Sequence, residues 1–147
     1  FLQTGSWDGL HFVLPTSVSI GLLAANVLIV NNYRDMEDDA AVNKRTTVVI
    51  FGRKTMGRVY LSFGIIGMLL MLPLWLSLPV WALVTPILYM VLHIHTWRQL
   101  KMSLGAQLNP LLGKTAINLL VFAGMLLFAC ILRMPNDFVN RVIKTFL

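Results

Sequence analysis

Four long apolar runs, separated by short polar segments, limit what this chain can fold into. They cover residues 10–30, 59–72, 80–95 and 115–132. A helix needs about 20 apolar residues to cross a bilayer, and the first and fourth runs are close to that length. Charged residues make up only 12% of the chain, against roughly 25% in soluble domains. The sequence therefore predicts an all-α fold, a transmembrane helical bundle with about four spanning helices.

The formal net charge of +6 is explained better by membrane topology than by nucleic-acid binding. Six of the twelve basic residues fall between positions 34 and 58, and three fall between positions 98 and 114. Lys and Arg are enriched in the cytoplasmic loops of membrane proteins. We therefore expect a lipid bilayer, and no nucleic acid, as a partner. We place the chain in a bacterial inner membrane, with the loops 36–54 and 98–114 in the cytoplasm.

The polar segment after the first run carries most of the negative charge. Four of the six acidic residues fall within five positions, namely Asp35, Glu37, Asp38 and Asp39. If the first helix continues through Asp39, a rotation of about 100° per residue places Asp35 and Asp39 on one face. The same face then carries Asn31, Asn32 and Asp38, whereas Glu37 points towards solvent.

Two carboxylates four residues apart on a helix repel each other unless a cation lies between them. A Mg2+ ion commonly takes one or two carboxylates and completes its shell with phosphate oxygens and water. Arg34, Lys44 and Arg45 supply positive charge for the phosphates. The cluster therefore indicates a site for Mg2+ and a diphosphate. The alternative is a solvated charged loop, which is the commoner meaning of a charge run beside a membrane helix.

Residues 31–52, NNYRDMEDDAAVNKRTTVVIFG, resemble the second aspartate-rich motif of the UbiA superfamily of intramembrane prenyltransferases. They are most similar to the branch that prenylates 1,4-dihydroxy-2-naphthoate, whose motif reads roughly NNxRDxxxDxxxGKxTxxxxxG. The matching positions are Asn31, Asn32, Arg34, Asp35, Asp39, Lys44, Thr46 and Gly52. The chain departs at Asn43, where the branch commonly has Gly. Asn is the next best residue for a left-handed backbone, so the turn is expected to survive.

The resemblance implies that residues 1–147 form the C-terminal half of a transmembrane prenyltransferase domain of about nine spanning helices. It implies Mg2+-dependent transfer of a polyprenyl chain from polyprenyl diphosphate to an aromatic acceptor in menaquinone biosynthesis. Asp35 and Asp39 would then be the catalytic, metal-holding residues. Substrate binding would fall to Asn31, Asn32, Arg34, Lys44 and Arg45. Such enzymes use two aspartate motifs and this chain has the second, so we expect it to need a missing N-terminal half for activity.

A non-enzymatic membrane bundle, such as a transporter half or an assembly subunit with a cation-binding acidic loop, is the alternative function. His93 and His95 are two residues apart and cannot share a helix face, so we interpret them as interfacial anchors beside Trp97. The tail, residues 136–147, has helical apolar spacing and is either an amphipathic interfacial helix or an unstructured end.

The charge distribution makes a testable prediction about topology. Single cysteines introduced at Thr47 and Ser77 in a Cys130→Ala background should react with membrane-impermeant reagents from opposite sides, because the two positions lie at opposite ends of the second run. The measurement is labelling in sealed vesicles of known orientation. Labelling of both positions from one side would contradict the assignment.

Overall fold

A computed structural model describes Trp7 and residues 9–133, and the predicted tail at 136–147 lies outside these residues. The described part is helical and contains no strand, which confirms the all-α prediction. Its α-helices are α1 (Leu10–Arg34), α2 (Met36–Ala41), α3 (Thr47–Leu70), α4 (Leu72–Leu76), α5 (Val84–Met102) and α6 (Asn109–Arg133). Short 3-10 helices at Val80–Leu83 and Gly105–Leu108 lead into α5 and α6.

The four long helices form a bundle in which each packs on two neighbours. Helix α1 packs on α3 and α6, and α5 packs on the same two helices from the other side. Three segments of the described chain are long and apolar enough to cross a membrane, namely Leu10–Arg34, Val80–Met102 and Gly105–Arg133. Large apolar side chains such as Leu28, Val91 and Leu120 are exposed on the outer surface, as expected for helices that face lipid.

The second predicted span, residues 59–72, differs from the other three. It lies on α3, where Arg53, Lys54 and Arg58 shorten the uncharged part of the helix. The helix ends at Leu70, and Pro73 lies in the first turn of the new helix α4. Proline cannot donate a backbone hydrogen bond and clashes with the preceding turn, which explains the break.

The predicted polar loop at 98–114 is largely helical. Helix α5 continues to Met102 and α6 begins at Asn109. Arg and Lys are good helix formers, and their long aliphatic stems let a helix continue while the charge stays in water. The hydropathy pattern predicted where the apolar segments end. The helices continue beyond those points, so the two kinds of boundary differ.

A polar layer crosses the centre of the bundle. Asn26 on α1 donates to the backbone oxygen of Tyr60 over 3.2 Å, and the Tyr60 hydroxyl lies 3.3 Å from that of Thr115. Asn118 on α6 donates to the Thr96 hydroxyl of α5 over 2.9 Å. These bonds link all four long helices, because buried polar groups in such a bundle must find partners on one another.

The interpretation of His93 as an interfacial anchor is wrong. Its side chain is buried, with its ring stacked between Tyr60 and Tyr89 at centroid distances of 4.9 and 5.7 Å. Gly64 faces this ring and leaves room for it. His95 points to the other side of α5, where it is exposed, so the prediction that the two do not share a face is confirmed.

Replacing Gly64 with alanine should destabilise the bundle by about 1–3 kcal/mol, because the added Cβ would overlap the stacked His93 ring. Gly124→Ala in α6 is the matched control, since no other side chain lies within 4 Å of a Cβ built there. Thermal unfolding in detergent, followed by circular dichroism, measures the difference. Equal melting temperatures for the two variants would contradict this packing.

Candidate functional site

The site begins where α1 ends, at a cluster formed by Asn31, Arg34 and Asp35. The Arg34 guanidinium donates two hydrogen bonds to the Asp35 carboxylate, from Nε to Oδ1 over 2.6 Å and from a terminal nitrogen to Oδ2 over 2.9 Å. Asn31 joins both partners, accepting from Arg34 over 3.0 Å and donating to Asp35 over 3.3 Å. Such paired charge-assisted bonds hold the carboxylate in a defined orientation.

A second acid–base pair lies one helical turn further along the chain. Asp39, on α2, accepts at Oδ1 from Lys44 Nζ over 2.9 Å, and its backbone oxygen accepts from the Lys44 amide over 2.8 Å. The chain reverses between them through Asn43, which has a left-handed φ of 57°. Asn is one of the few residues that adopt this conformation readily. The expectation that Asn43 replaces Gly in this turn is confirmed.

Asp39 is the buried acid of the cluster. Its side chain is 8% exposed, and its Oδ2 is buried without a hydrogen-bond partner. A buried carboxylate oxygen that lacks a donor is costly, and it is available to an added cation. This orphaned oxygen is the feature of the described chain that best fits a metal ion.

The two pairs lie at one end of the bundle and influence each other. The backbone amide of Asp39 donates to the oxygen of Asp35 over 2.8 Å, so Asp35 accepts a hydrogen bond from α2 although α1 ends at Arg34. Hydrogen bonding to Arg34 lowers the pKa of the Asp35 carboxyl, and the charge of Lys44 lowers it further. The Asp35 carboxyl is therefore ionised at neutral pH. The ammonium of Lys44, which pairs with Asp39, also attracts the Asp35 carboxylate.

The remaining acids of the cluster have other surroundings. Asp38 is exposed whereas Asp39 is buried, so the predicted shared face does not extend to Asp38. Glu37 is 66% exposed, as predicted, but it forms an ion pair of 2.7 Å with Arg53 of α3. This hydrogen-bonded pair lowers the pKa of the Glu37 carboxyl. The sequence held no signal for that partner, which lies 16 positions away.

The other predicted substrate-binding residues divide into two groups. Asn32 is buried and turns away from the acids, donating to the Thr47 hydroxyl over 3.3 Å at the start of α3. Arg45 is exposed beside Lys44. Asn109, which the sequence placed in the loop expected to help close the site, lies 3.5 Å from a terminal nitrogen of Arg34 and links α6 to the cluster.

Groups of three or more His, Cys, Asp or Glu side chains that could hold a metal do not occur within residues 9–133. The described cluster therefore offers two carboxylates at most. Mg2+ sites that are completed by substrate phosphates commonly use one or two carboxylates.

The fold and the site define a class of protein, a helical membrane bundle with acidic and basic side chains clustered at one end. Residues 1–109 match the UbiA prenyltransferase family. That match covers well over half of the chain, so the chain belongs to this family and is an integral membrane protein.

One relative is the 1,4-dihydroxy-2-naphthoate octaprenyltransferase of Haemophilus influenzae. It is 48% identical over 60 residues, a stretch that covers 41% of this chain and 18% of the relative. The matched stretch thus spans less than a fifth of that relative's length. No solved structure matches the chain.

The turn at Asn43 makes a local prediction. Asn43→Gly should keep the turn. Asn43→Val should increase the fraction of molecules in which the turn is open by about 5–30-fold, since a β-branched residue tolerates a positive φ poorly. Limited proteolysis by trypsin after Lys44 and Arg45 reports this opening. Equal cleavage rates in the two variants would show that the turn is not left-handed in solution.

Proposed function

We propose that this chain is part of a Mg2+-dependent enzyme that transfers a polyprenyl chain from polyprenyl diphosphate to 1,4-dihydroxy-2-naphthoate. The observation that carries the proposal is the buried, partnerless Oδ2 of Asp39 beside Lys44, within the residues that match the UbiA prenyltransferase family. The relative named for that acceptor supports the choice of aromatic substrate. Menaquinone biosynthesis is the corresponding pathway.

Asp35 and Asp39 would hold the metal in this mechanism. Asp39 contributes the free Oδ2, and Asp35 retains a lone pair on Oδ1 after its bonds to Arg34 and Asn31. When bound, Mg2+ would neutralise part of the charge on the departing diphosphate, which favours breaking the C–O bond of the donor.

The basic side chains would carry the rest of the diphosphate charge. Lys44 has an exposed stem and a single partner, so its ammonium can contact a phosphate while it stays near Asp39. Arg34 presents a planar guanidinium, which can bind a phosphate through two parallel hydrogen bonds. Arg45, exposed beside them, adds positive charge that attracts the anion to this end of the bundle.

Asn31 and Asn32 would have different roles in substrate binding. Asn31 orients both Arg34 and Asp35, and so positions the groups that touch the diphosphate and the metal. Asn32 fixes the start of α3 through Thr47 and thereby the distance between α3 and the end of α1. We propose that residues 1–147 act with an N-terminal half that supplies the first aspartate motif, and that the loop 36–54 faces the cytoplasm.

The roles of the four acids can be separated by mutation in the complete enzyme. Asp35→Asn and Asp39→Asn should each lower the rate of prenyl transfer by about 10²–10³, because each removes a charge that neutralises the leaving diphosphate. Glu37→Gln should stay within about threefold of wild type, since it loses only an exposed ion pair. Asp38→Asn, at another exposed position, is the matched control and should have a small effect.

The measurement is Mg2+-dependent transfer of a radiolabelled prenyl chain, with expression and helical content matched among variants. Near-normal rates for Asp35→Asn and Asp39→Asn, together with a severe defect in Glu37→Gln, would contradict both the metal assignment and the motif. If the wild-type protein binds the metal but transfers no prenyl chain, the alternative function, a non-enzymatic membrane bundle, would be favoured.

A further inference from the structure

A second basic surface lies beside the aspartate cluster, between α3 and α5. A pocket of about 440 Å3 opens there and is lined by four cationic side chains, Arg53, Lys54, Arg58 and Lys101. We call it the basic pocket. Its lining contains none of the acids of the cluster, nor Lys44 or Arg34, so it is distinct from the site described above.

Within the described part of the chain, three of its four cations lack an anionic partner. Arg53 pairs with Glu37, but Lys54, Arg58 and Lys101 form no ion pair with any carboxylate among residues 9–133. Moreover, the Nε of Arg53 is buried without a hydrogen-bond partner. Cations held close together repel one another, and a bound anion relieves that repulsion. A buried N–H group without an acceptor costs free energy, which a ligand oxygen would offset.

The walls of the pocket are held in place before any ligand arrives. Trp97 donates from Nε1 to the backbone oxygen of Gly57 over 2.8 Å, and Lys101 lies 3.7 Å from the centroid of the Trp97 ring. On the other wall, the Tyr33 hydroxyl donates to the backbone oxygen of Arg53. A Cβ at Gly57 would come within 2.5 Å of that hydroxyl, so a glycine is needed here. Preorganised walls reduce the entropy lost on binding.

The edge of the pocket is apolar. Leu104 lines it and is 58% exposed, and the neighbouring Met102 is 83% exposed. The pocket lies at the end of the membrane-length segment Val80–Met102. A helix that crosses a bilayer ends where the lipid head groups begin. A ligand that suits this place carries a phosphate for the cations and an acyl chain for the apolar edge.

We propose that the basic pocket binds the phosphate head group of an anionic membrane phospholipid. Basic pockets between membrane helices are known to accept such head groups. A polyprenyl diphosphate offers the same combination of phosphate and apolar chain, so the experiment must separate the two sources. The proposal does not depend on the function proposed above, because it involves neither the metal nor the acids of the cluster.

The test compares two double variants that remove equal charge. Lys54→Gln/Lys101→Gln alters the pocket, whereas Arg98→Gln/Lys114→Gln alters exposed basic residues that do not line it. Each purified protein in neutral detergent is titrated with short-chain phosphatidylglycerol, and binding is followed by microscale thermophoresis. We expect about 30-fold weaker binding for the pocket variant, from two lost contacts at a membrane surface, and near wild-type binding for the control.

Further ligands and one further variant define the chemistry. Lys54→Arg/Lys101→Arg should retain binding, since it keeps both charges. Phosphatidylcholine, inorganic phosphate, and polyprenyl diphosphate in the presence of EDTA should each bind more weakly than phosphatidylglycerol. Equal weakening in both glutamine variants would indicate general surface attraction and overturn the proposal. Tighter binding of polyprenyl diphosphate, or equal binding of either other ligand, would overturn the assignment to an anionic phospholipid.

Discussion

The buried carboxylate of Asp39 is the constraint on which the polar end of this bundle depends. An uncompensated charge at such a position would destabilise the fold strongly, and Lys44 compensates it through one oxygen. To reach Asp39, the chain must reverse within four residues, which requires the left-handed backbone at Asn43. The ion pair, the end of α2 and the turn therefore lie within one short segment, residues 39–44. The other oxygen of Asp39 has no partner, which leaves the site open to a cation.

Below the cluster, the polar layer keeps the helices that carry it at fixed positions. Lipid offers no hydrophobic driving force between helices, so close packing and hydrogen bonds set how they meet. Tyr60 illustrates this, because its backbone oxygen accepts from Asn26 on α1 while its hydroxyl meets Thr115 on α6. The ring of His93 on α5 stacks on Tyr60 of α3 and on Tyr89 of its own helix. The ends of α1, α3 and α6 that contribute to the site are thereby held relative to one another.

The basic residues of this end divide into two sets with different partners. Arg34 and Lys44 are paired with aspartates, so part of their positive charge is neutralised within the cluster. Lys54 and Lys101 have no carboxylate partner in the described chain and face a pocket instead. The two sets therefore differ in whether a carboxylate already neutralises their positive charge. Arg53 joins the two sets, because it lines the pocket and pairs with Glu37.

Local features were predictable from the sequence. Apolar run length determined the helical membrane class. The turn at Asn43 was expected from the resemblance to a motif that has Gly at this position, together with the tolerance of Asn for a left-handed backbone. Both depend on residues that are adjacent in the chain. Three features were known only from the tertiary structure. They are the different burial of Asp38 and Asp39, the stacking of His93 between two tyrosines, and the contact of Arg34 with Asn109. The reason is physical: a helical period places a residue on a face, but the neighbouring helix decides whether that face is buried and which side chain meets it.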